Sequence, residues 1–130
     1  QAALDASIDY ALQRKQFGKP IAGHQLIQGM LAEMVTELEA ARYLVYRALW
    51  LLSGGTRCER EAAVAKSFAT EAAQRITSKA IQIHGAFGIT REFPVERHFR
   101  NARLLTIPDG TTQLNQLIIG RKLTGIAAFS

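Results

Sequence analysis

Between about Ala22 and Ser53 the apolar residues Ile27, Leu31, Met34, Leu38, Ala41, Val45, Ala48 and Leu52 recur in steps of four and three without a break. Only a helix brings residues so spaced onto one face, so the stripe predicts a helix of about thirty residues, roughly 45 Å long at 1.5 Å per residue. A chain of 130 residues makes about one domain. A helix of that length exceeds what a compact domain of this size needs, so either the bundle is elongated or the helix reaches into a partner. Met30, Met34 and Trp50 read most simply as core or interface filling.

The flanking segments carry the same periodicity. Leu4, Ile8, Ala11 and Leu12 predict an amphipathic helix over residues 1 to about 16, ended by Phe17-Gly18-Lys19-Pro20 because glycine relieves left-handed strain and proline cannot continue the ladder. After Ser53-Gly54-Gly55, the run Thr56-Arg57-Cys58-Glu59 reads as a capping box for a third helix. Its inward stripe, Ala65, Phe68, Ala72, Ile76, Ala80 and Ile83, is rich in alanine and permits close helix approach. Gln82-Ile83-His84-Gly85-Ala86-Phe87-Gly88 closes it with two glycines. A last helix from Leu114 to about Ile126 is apolar on more than one side, which predicts docking against something outside the domain. No segment alternates with period two for long enough to be a strand. The expected fold is all-α, an up-and-down four-helix bundle with a short extra helix starting near Pro94.

Composition excludes several classes. A hydrophobic content of 48% supports an ordinary core, and Cys58 is the single cysteine, so there is no internal disulfide and no zinc-ligand cluster. No apolar run is long enough for a membrane span, and the N-terminus lacks the order of a signal peptide. The net charge of +5 is compatible with an anionic ligand without identifying one. Arg91, Arg97, Arg100 and Arg103 concentrate that charge, the last three on one face of the short helix; this is a solvated or ion-paired face or a phosphate contact. Nothing resembles a helix-turn-helix or an RNA-binding sheet, so nucleic acid is not an expected partner. His24 and His84 fit helix-end bonding roles, and His98, among arginines, is expected at the surface. The chain opens on Gln1 with helical pattern almost at once, and is expected to be a piece of a longer protein.

Ile107-Pro108-Asp109-Gly110-Thr111-Thr112-Gln113 is the composition of a turn feeding a helix. Free N–H groups and the positive end of the macrodipole suit a carboxylate or bound anion there. Asp109 alone would be read as a cap.

The ordered set Tyr10-Ala11-Leu12-Gln13-Arg14-Lys15-Gln16-Phe17-Gly18-Lys19-Pro20-Ile21, His24-Gln25 with Leu31-Ala32-Glu33-Met34, Gln82-Ile83-His84-Gly85, and Pro94 to Arg97 through Arg100 to Thr111 resembles the C-terminal domain of acyl-CoA dehydrogenases, and covers essentially the whole chain. The resemblance implies a helical bundle, FAD as cofactor, an acyl-CoA substrate, electron-transfer flavoprotein or another acceptor as electron partner, and homodimers or homotetramers built from these helices. It implies that an N-terminal helical domain and a middle β-domain complete the pockets, that the isolated piece is inactive, and that the compartment is bacterial cytoplasm in preference to the mitochondrial matrix.

By the same resemblance, Arg14, Gln16 and Phe17 reach across a subunit interface to the ADP part of FAD, Gln25 is another flavin contact, and Gln82, Ile83, His84, Gly85 and Ala86 form a backbone-approach segment in which Ala86 replaces a family glycine. Thr111, Thr112 and Gln113 bind FAD at the head of the last helix, and Gly110 contacts the thioester. A guanidinium fits pyrophosphate by forked hydrogen bonds, and glycine admits close backbone approach. Asp109 matches the base that removes the α-proton while the β-hydrogen leaves as hydride to flavin. It is expected at the mouth of the last helix, in a cleft that neighbouring subunits close. Many members have glutamate there; aspartate withdraws the oxygens by roughly 1.5 Å, and about 1 Å of misplacement can lower a rate about a hundredfold. Either a cyclic acyl group, as in members acting on cyclohexane carboxyl thioesters, brings its proton closer, or Asp109 is a cap, the base lies before residue 1, and this domain serves assembly alone.

Overall fold

A computed structural model describes residues 1–128. Five α-helices appear in chain order: α1 (Ala2–Gln13), α2 (Gln25–Ser53), α3 (Glu59–His84), α4 (Val95–Leu105) and α5 (Thr112–Thr124). Short 3-10 turns at Ile21–Gly23 and Gly85–Ile89 join them. The four-helix bundle and its short extra helix, α4, are therefore the observed fold.

α3 is the axis, touching all four other helices. Its alanines explain why: Ala65, Ala72 and Ala80 are buried together with Ile76 and Ile83, and side chains this small let several helices close on one. Cross-links set directions. Glu37 of α2 meets Arg75 at 3.1 Å and Lys79 at 3.3 Å, while Glu33 meets Lys79 at 3.1 Å, so α2 descends as α3 rises. Glu71 pairs with Thr112 and Glu59 with Lys122, so α5 descends too. Tyr10 stacks on His84, which brings the end of α1 to the end of α3.

The stripe on α2 is buried at Met34, Ala41 and Ala48, but Leu52 is exposed. Beyond the core, Tyr43, Tyr46, Leu49 and Trp50 also face solvent, Trp50 at 73%. Leu117, Leu123 and Ile126 are exposed at α5 or just past it. These are the unpartnered apolar faces expected from a long helix and an over-apolar last one.

Four local expectations are corrected. α1 ends at Gln13, because Arg14 turns extended (φ −71, ψ 127) to begin a hairpin. Lys15–Gln16 pairs antiparallel with Lys19–Pro20, a ladder too short for alternation to register in sequence. Gly18 accordingly serves that hairpin turn, beside Phe17, and does not cap α1. The capping box does not form: Cys58, itself buried, holds the N-cap position of α3 without a side-chain bond, and Glu59 pairs with Lys122 at 2.6 Å, not with the Thr56 backbone. His98 is half-buried and faces a small hollow lined by alanines of α1 and α3.

Candidate functional site

The expected site residues gather at two places along α3. At its C-terminal end stand the hairpin and the Gln82–Ala86 segment. Phe17 has φ +53 and Gly18 φ +80, the pair of positive values that mirror-image hairpin turns require. Glycine adopts this freely; phenylalanine does so at some strain. The strained ring is 92% exposed. Below it, His24 Nε2 lies 3.3 Å from the Gln16 carbonyl and Lys19 Nζ donates to the Gly23 carbonyl at 2.8 Å, fixing the hairpin on the head of α2. An open cleft of about 770 Å³ runs between Gln16, Phe17, Ile21, His24 and Gln25. Arg14 borders a second hollow with Tyr10, Phe87 and Phe93, and has no ion pair among the described residues.

The Gln82–Ala86 segment divides by exposure. Gln82, Gly85 and Ala86 are exposed, whereas the Ile83 and His84 side chains are inside the core, so only their backbone can serve a surface ligand. His84 is 2% exposed; its Nδ1 is 2.8 Å from the Ala80 carbonyl, which can only accept, so that nitrogen carries the proton. Nε2 has no partner among the described residues. Burial pushes the imidazole below its usual range, partly offset by the Ala80 bond. Gly85 takes φ +61, ψ −136 with open space where a Cβ would stand. Gly88 is different in kind: a Cβ there would lie 2.5 Å from the Ile81 carbonyl oxygen, so the 3-10 turn presses on α3 backbone to backbone.

The second place is the head of α5. Asp109 and Gly110 both have positive φ, +54 and +98. The helix cap is Thr111, whose hydroxyl accepts the Leu114 N–H at 3.2 Å, so Asp109 stands two residues outside the cap. Thr112 is 8% exposed and donates from Oγ1 to Glu71 at 2.7 Å, while its N–H goes to the Thr106 carbonyl. Of the first-turn donors, the N–H of Gln113 therefore stays open among the described residues, beside a polar hollow lined by Gln74, Arg103 and Thr111. On α4, Arg100 forks onto Glu96 at 2.7 and 3.1 Å, which is the ion-paired face; Arg103 donates to Thr106 Oγ1.

The Asp109 side chain is exposed. From Glu71 to Gln82 along α3 is about 17 Å at 1.5 Å per residue, so the two places do not meet in a single copy. What sequence reasoning missed is the fastening of the Asp109 loop: Lys66 donates to the Pro108 carbonyl, Glu71 takes Thr112, and Asn115 donates to the carbonyls of Gly110 and Thr111. The available signal was an amide, Asn115, amid the apolar run of the last helix. Among the described residues no group of acidic, histidine or cysteine side chains could hold a metal, and no helix is long and apolar enough to cross a membrane.

At the C-terminal end of α3, a guanidinium without an ion pair and a flat exposed ring have the chemistry of a contact to a pyrophosphate-bearing ligand, and the open N–H at the head of α5 offers a separate anion contact. The chain is 49% identical to a probable acyl-CoA dehydrogenase, YngJ, of Bacillus subtilis, over 95% of this chain and 32% of that protein. It is 41% identical to cyclohexane-1-carbonyl-CoA dehydrogenase of Geobacter metallireducens, over 98% of this chain and 34% of the relative. The structure of butyryl-CoA dehydrogenase from Megasphaera elsdenii superposes with a TM-score of 0.92 at 40% identity, covering 93% of this chain and 32% of that one. The chain thus spans about a third of the length of the curated relatives it matches. The family is FAD-dependent in general. Residues 1–124 match the family described as acyl-CoA dehydrogenase, C-terminal domain, and the chain belongs to that family.

Proposed function

We propose that this chain is the C-terminal helical domain of a longer flavoenzyme that dehydrogenates an acyl-CoA thioester between its α and β carbons, with Asp109 as the base for the α-proton. The observation that carries this reading is the Asp109–Gly110 turn: an exposed acid in a left-handed conformation, with the residues on both sides tied down by Lys66 and Asn115. A solvated cap would not need such fastening. The Asp109 carboxylate takes the proton, and the adjacent Gly110 contributes a backbone contact near the thioester. Bound FAD supplies the acceptor for the β-hydride. Arg14, Gln16 and Phe17 hold its ADP part from one copy, with Gln25 and the backbone of Gln82–Ala86 as further FAD contacts, while Thr111, Thr112 and Gln113 bind FAD from another copy. The separation of the two places along α3 supports this sharing, as do the exposed apolar faces of α2 and α5, which a homodimer or homotetramer would cover. Electron-transfer flavoprotein is the proposed acceptor downstream, and the bacterial cytoplasm the proposed compartment, in keeping with the bacterial relatives.

The proposed substrate is a cyclic acyl-CoA, on the ground that a ring can bring its α-proton toward an acid one carbon shorter than glutamate; the Geobacter relative, named for such a substrate, supports it. The exposed apolar faces equally favour a second reading, in which this domain serves assembly and the base lies upstream of residue 1. One variant separates them. Asp109→Asn in the full-length protein is expected to retain FAD and bind acyl-CoA while anaerobic flavin bleaching slows by about 10²- to 10⁴-fold. Bleaching at the wild-type rate would assign the base elsewhere.

A further inference from the structure

We propose that Asn115 is a positioning residue for the base, holding the Asp109–Gly110 turn in its left-handed form. The inference rests on the assignment of Asp109 above. Asn115 is 6% exposed, in the first turns of a helix whose neighbouring residues Leu114, Leu117, Ile118 and Ile119 are apolar. A buried amide in such company needs partners, and these are specific: Nδ2 donates to the Gly110 carbonyl at 3.0 Å and to the Thr111 carbonyl at 2.9 Å. Both acceptors are carbonyls, so the NH2 end of the amide must face the loop. On the other side of Asp109, Lys66 of α3 donates to the Pro108 carbonyl. Asp109 is thus the unheld residue between two held ones, its side chain free and its backbone fixed by its neighbours.

That backbone needs holding. Two successive residues at φ +54 and +98 lie outside any helix or strand ladder, and an aspartate left to itself favours negative φ. The turn also packs on α5, where a Cβ on Gly110 would come within 3.3 Å of Leu114 Cδ2. Without the amide, the Gly110 carbonyl loses its donor and Asp109 can relax toward the right-handed region, swinging the carboxylate by more than the margin that proton abstraction tolerates. Acyl-CoA binding draws on many contacts besides the one at Gly110 and should fall much less than the rate.

The test compares Asn115→Ala, the isosteric Asn115→Asp and Asp109→Asn in the full-length holoenzyme, mixed anaerobically with a panel of straight-chain and cyclic acyl-CoAs. For Asn115→Ala the flavin-bleaching rate is expected to fall about 10- to 100-fold, from a displacement near 1 Å, with flavin content kept and acyl-CoA affinity within about twofold of wild type. Backbone amide hydrogen exchange over residues 109–112 should rise in the same variant, a readout independent of turnover. Asn115→Asp keeps the shape but turns a carboxylate toward two carbonyls; protonation returns one donor, so its rate relative to wild type should recover as pH falls. Unchanged bleaching and unchanged exchange in Asn115→Ala would overturn the proposal. So would loss of rate accompanied by loss of flavin and early melting in both Asn115 variants, which is a structural role only. If Asp109→Asn bleaches normally, the base assignment itself fails and takes this inference with it, whereas an inactive Asp109→Asn beside an unaffected Asn115→Ala removes the positioning role alone.

Discussion

The two ends of α3 hold their proposed ligand-facing groups by opposite means. At the C-terminal end the Gln82–Ala86 segment rests on apolar supports: Tyr10 stacks on His84 with centroids 4.3 Å apart, Phe93 meets both rings edge-on, and Gly88 presses against Ile81; only the neighbouring hairpin is tied by hydrogen bonds, through Lys19 and His24. What that end offers a ligand is mostly backbone, an exposed ring and a guanidinium. At the Asp109 end the supports are polar, with Lys66, Glu71 and Asn115 each spending a side chain on the loop. Close packing fixes where backbone lies but leaves outward side chains loose; directed hydrogen bonds fix a turn and so can aim one short acid. Binding a large anionic ligand tolerates the first arrangement, and moving a proton demands the second.

The division of labour is tested most severely by putting the two ends on different copies. In full-length mixed dimers of Asp109→Asn with Arg14→Ala, a site shared across a twofold interface would have both defects at one of its two places and neither at the other. Such dimers should recover about half of the wild-type bleaching amplitude, although each parent alone is impaired. No recovery in tagged, purified hybrids would put both ends in one subunit's site and break the comparison.

Much of this was legible in the chain itself. The four-and-three stripe of α2 and the alanine-rich stripe of α3 marked both helices, because burial on a helix writes its period into sequence, whereas the place of α3 as the hub emerges only from packing. The hairpin was not legible: a two-residue ladder has no period, and its decisive feature, positive φ at Phe17, is imposed by the turn against the residue's own preference. Nor was the capping role of Thr111 separable from that of Asp109, since both are good cap residues and only the backbone decides between them. The Lys66 and Glu71 tethers join residues roughly forty apart in the chain, a separation at which no local pattern operates.

A smaller effect sharpens the contrast at the hairpin. Truncating a buried phenylalanine typically destabilises by about 3–5 kcal/mol. Phe17→Gly should instead stay within about 1 kcal/mol of wild type, because relief of left-handed strain, about 1–2 kcal/mol, is offset by the greater chain entropy of glycine, about 0.5–1 kcal/mol. FAD retention should weaken by about tenfold through loss of the flat contact. Chemical denaturation together with flavin titration of the full-length protein checks both. A large stability loss would mean that the ring is structural, and the apolar end would then be serving the fold and not the ligand.

The smallest expected effect lies in the stack itself and is a matter of sign. Burial pushes the His84 imidazole below its ordinary pKa of about 6.5, with the bond to Ala80 offsetting part of the shift. The unfolded chain therefore takes up this proton at higher pH than the folded one. Stability from this group is fully present above about 6.5 and declines as pH falls from there toward the depressed folded value. Acidifying from about pH 8 to about pH 5.5 should lower the wild-type melting temperature, and part of that drop should vanish in His84→Phe, which keeps a ring against Tyr10 and Phe93 but has no proton to gain. The comparison is between the two slopes and not the two absolute values, since phenylalanine also gives up the bond to Ala80. Parallel slopes would show that the imidazole titrates alike in both states, and the apolar end would lose the dry interior on which its contrast with the Asp109 end depends.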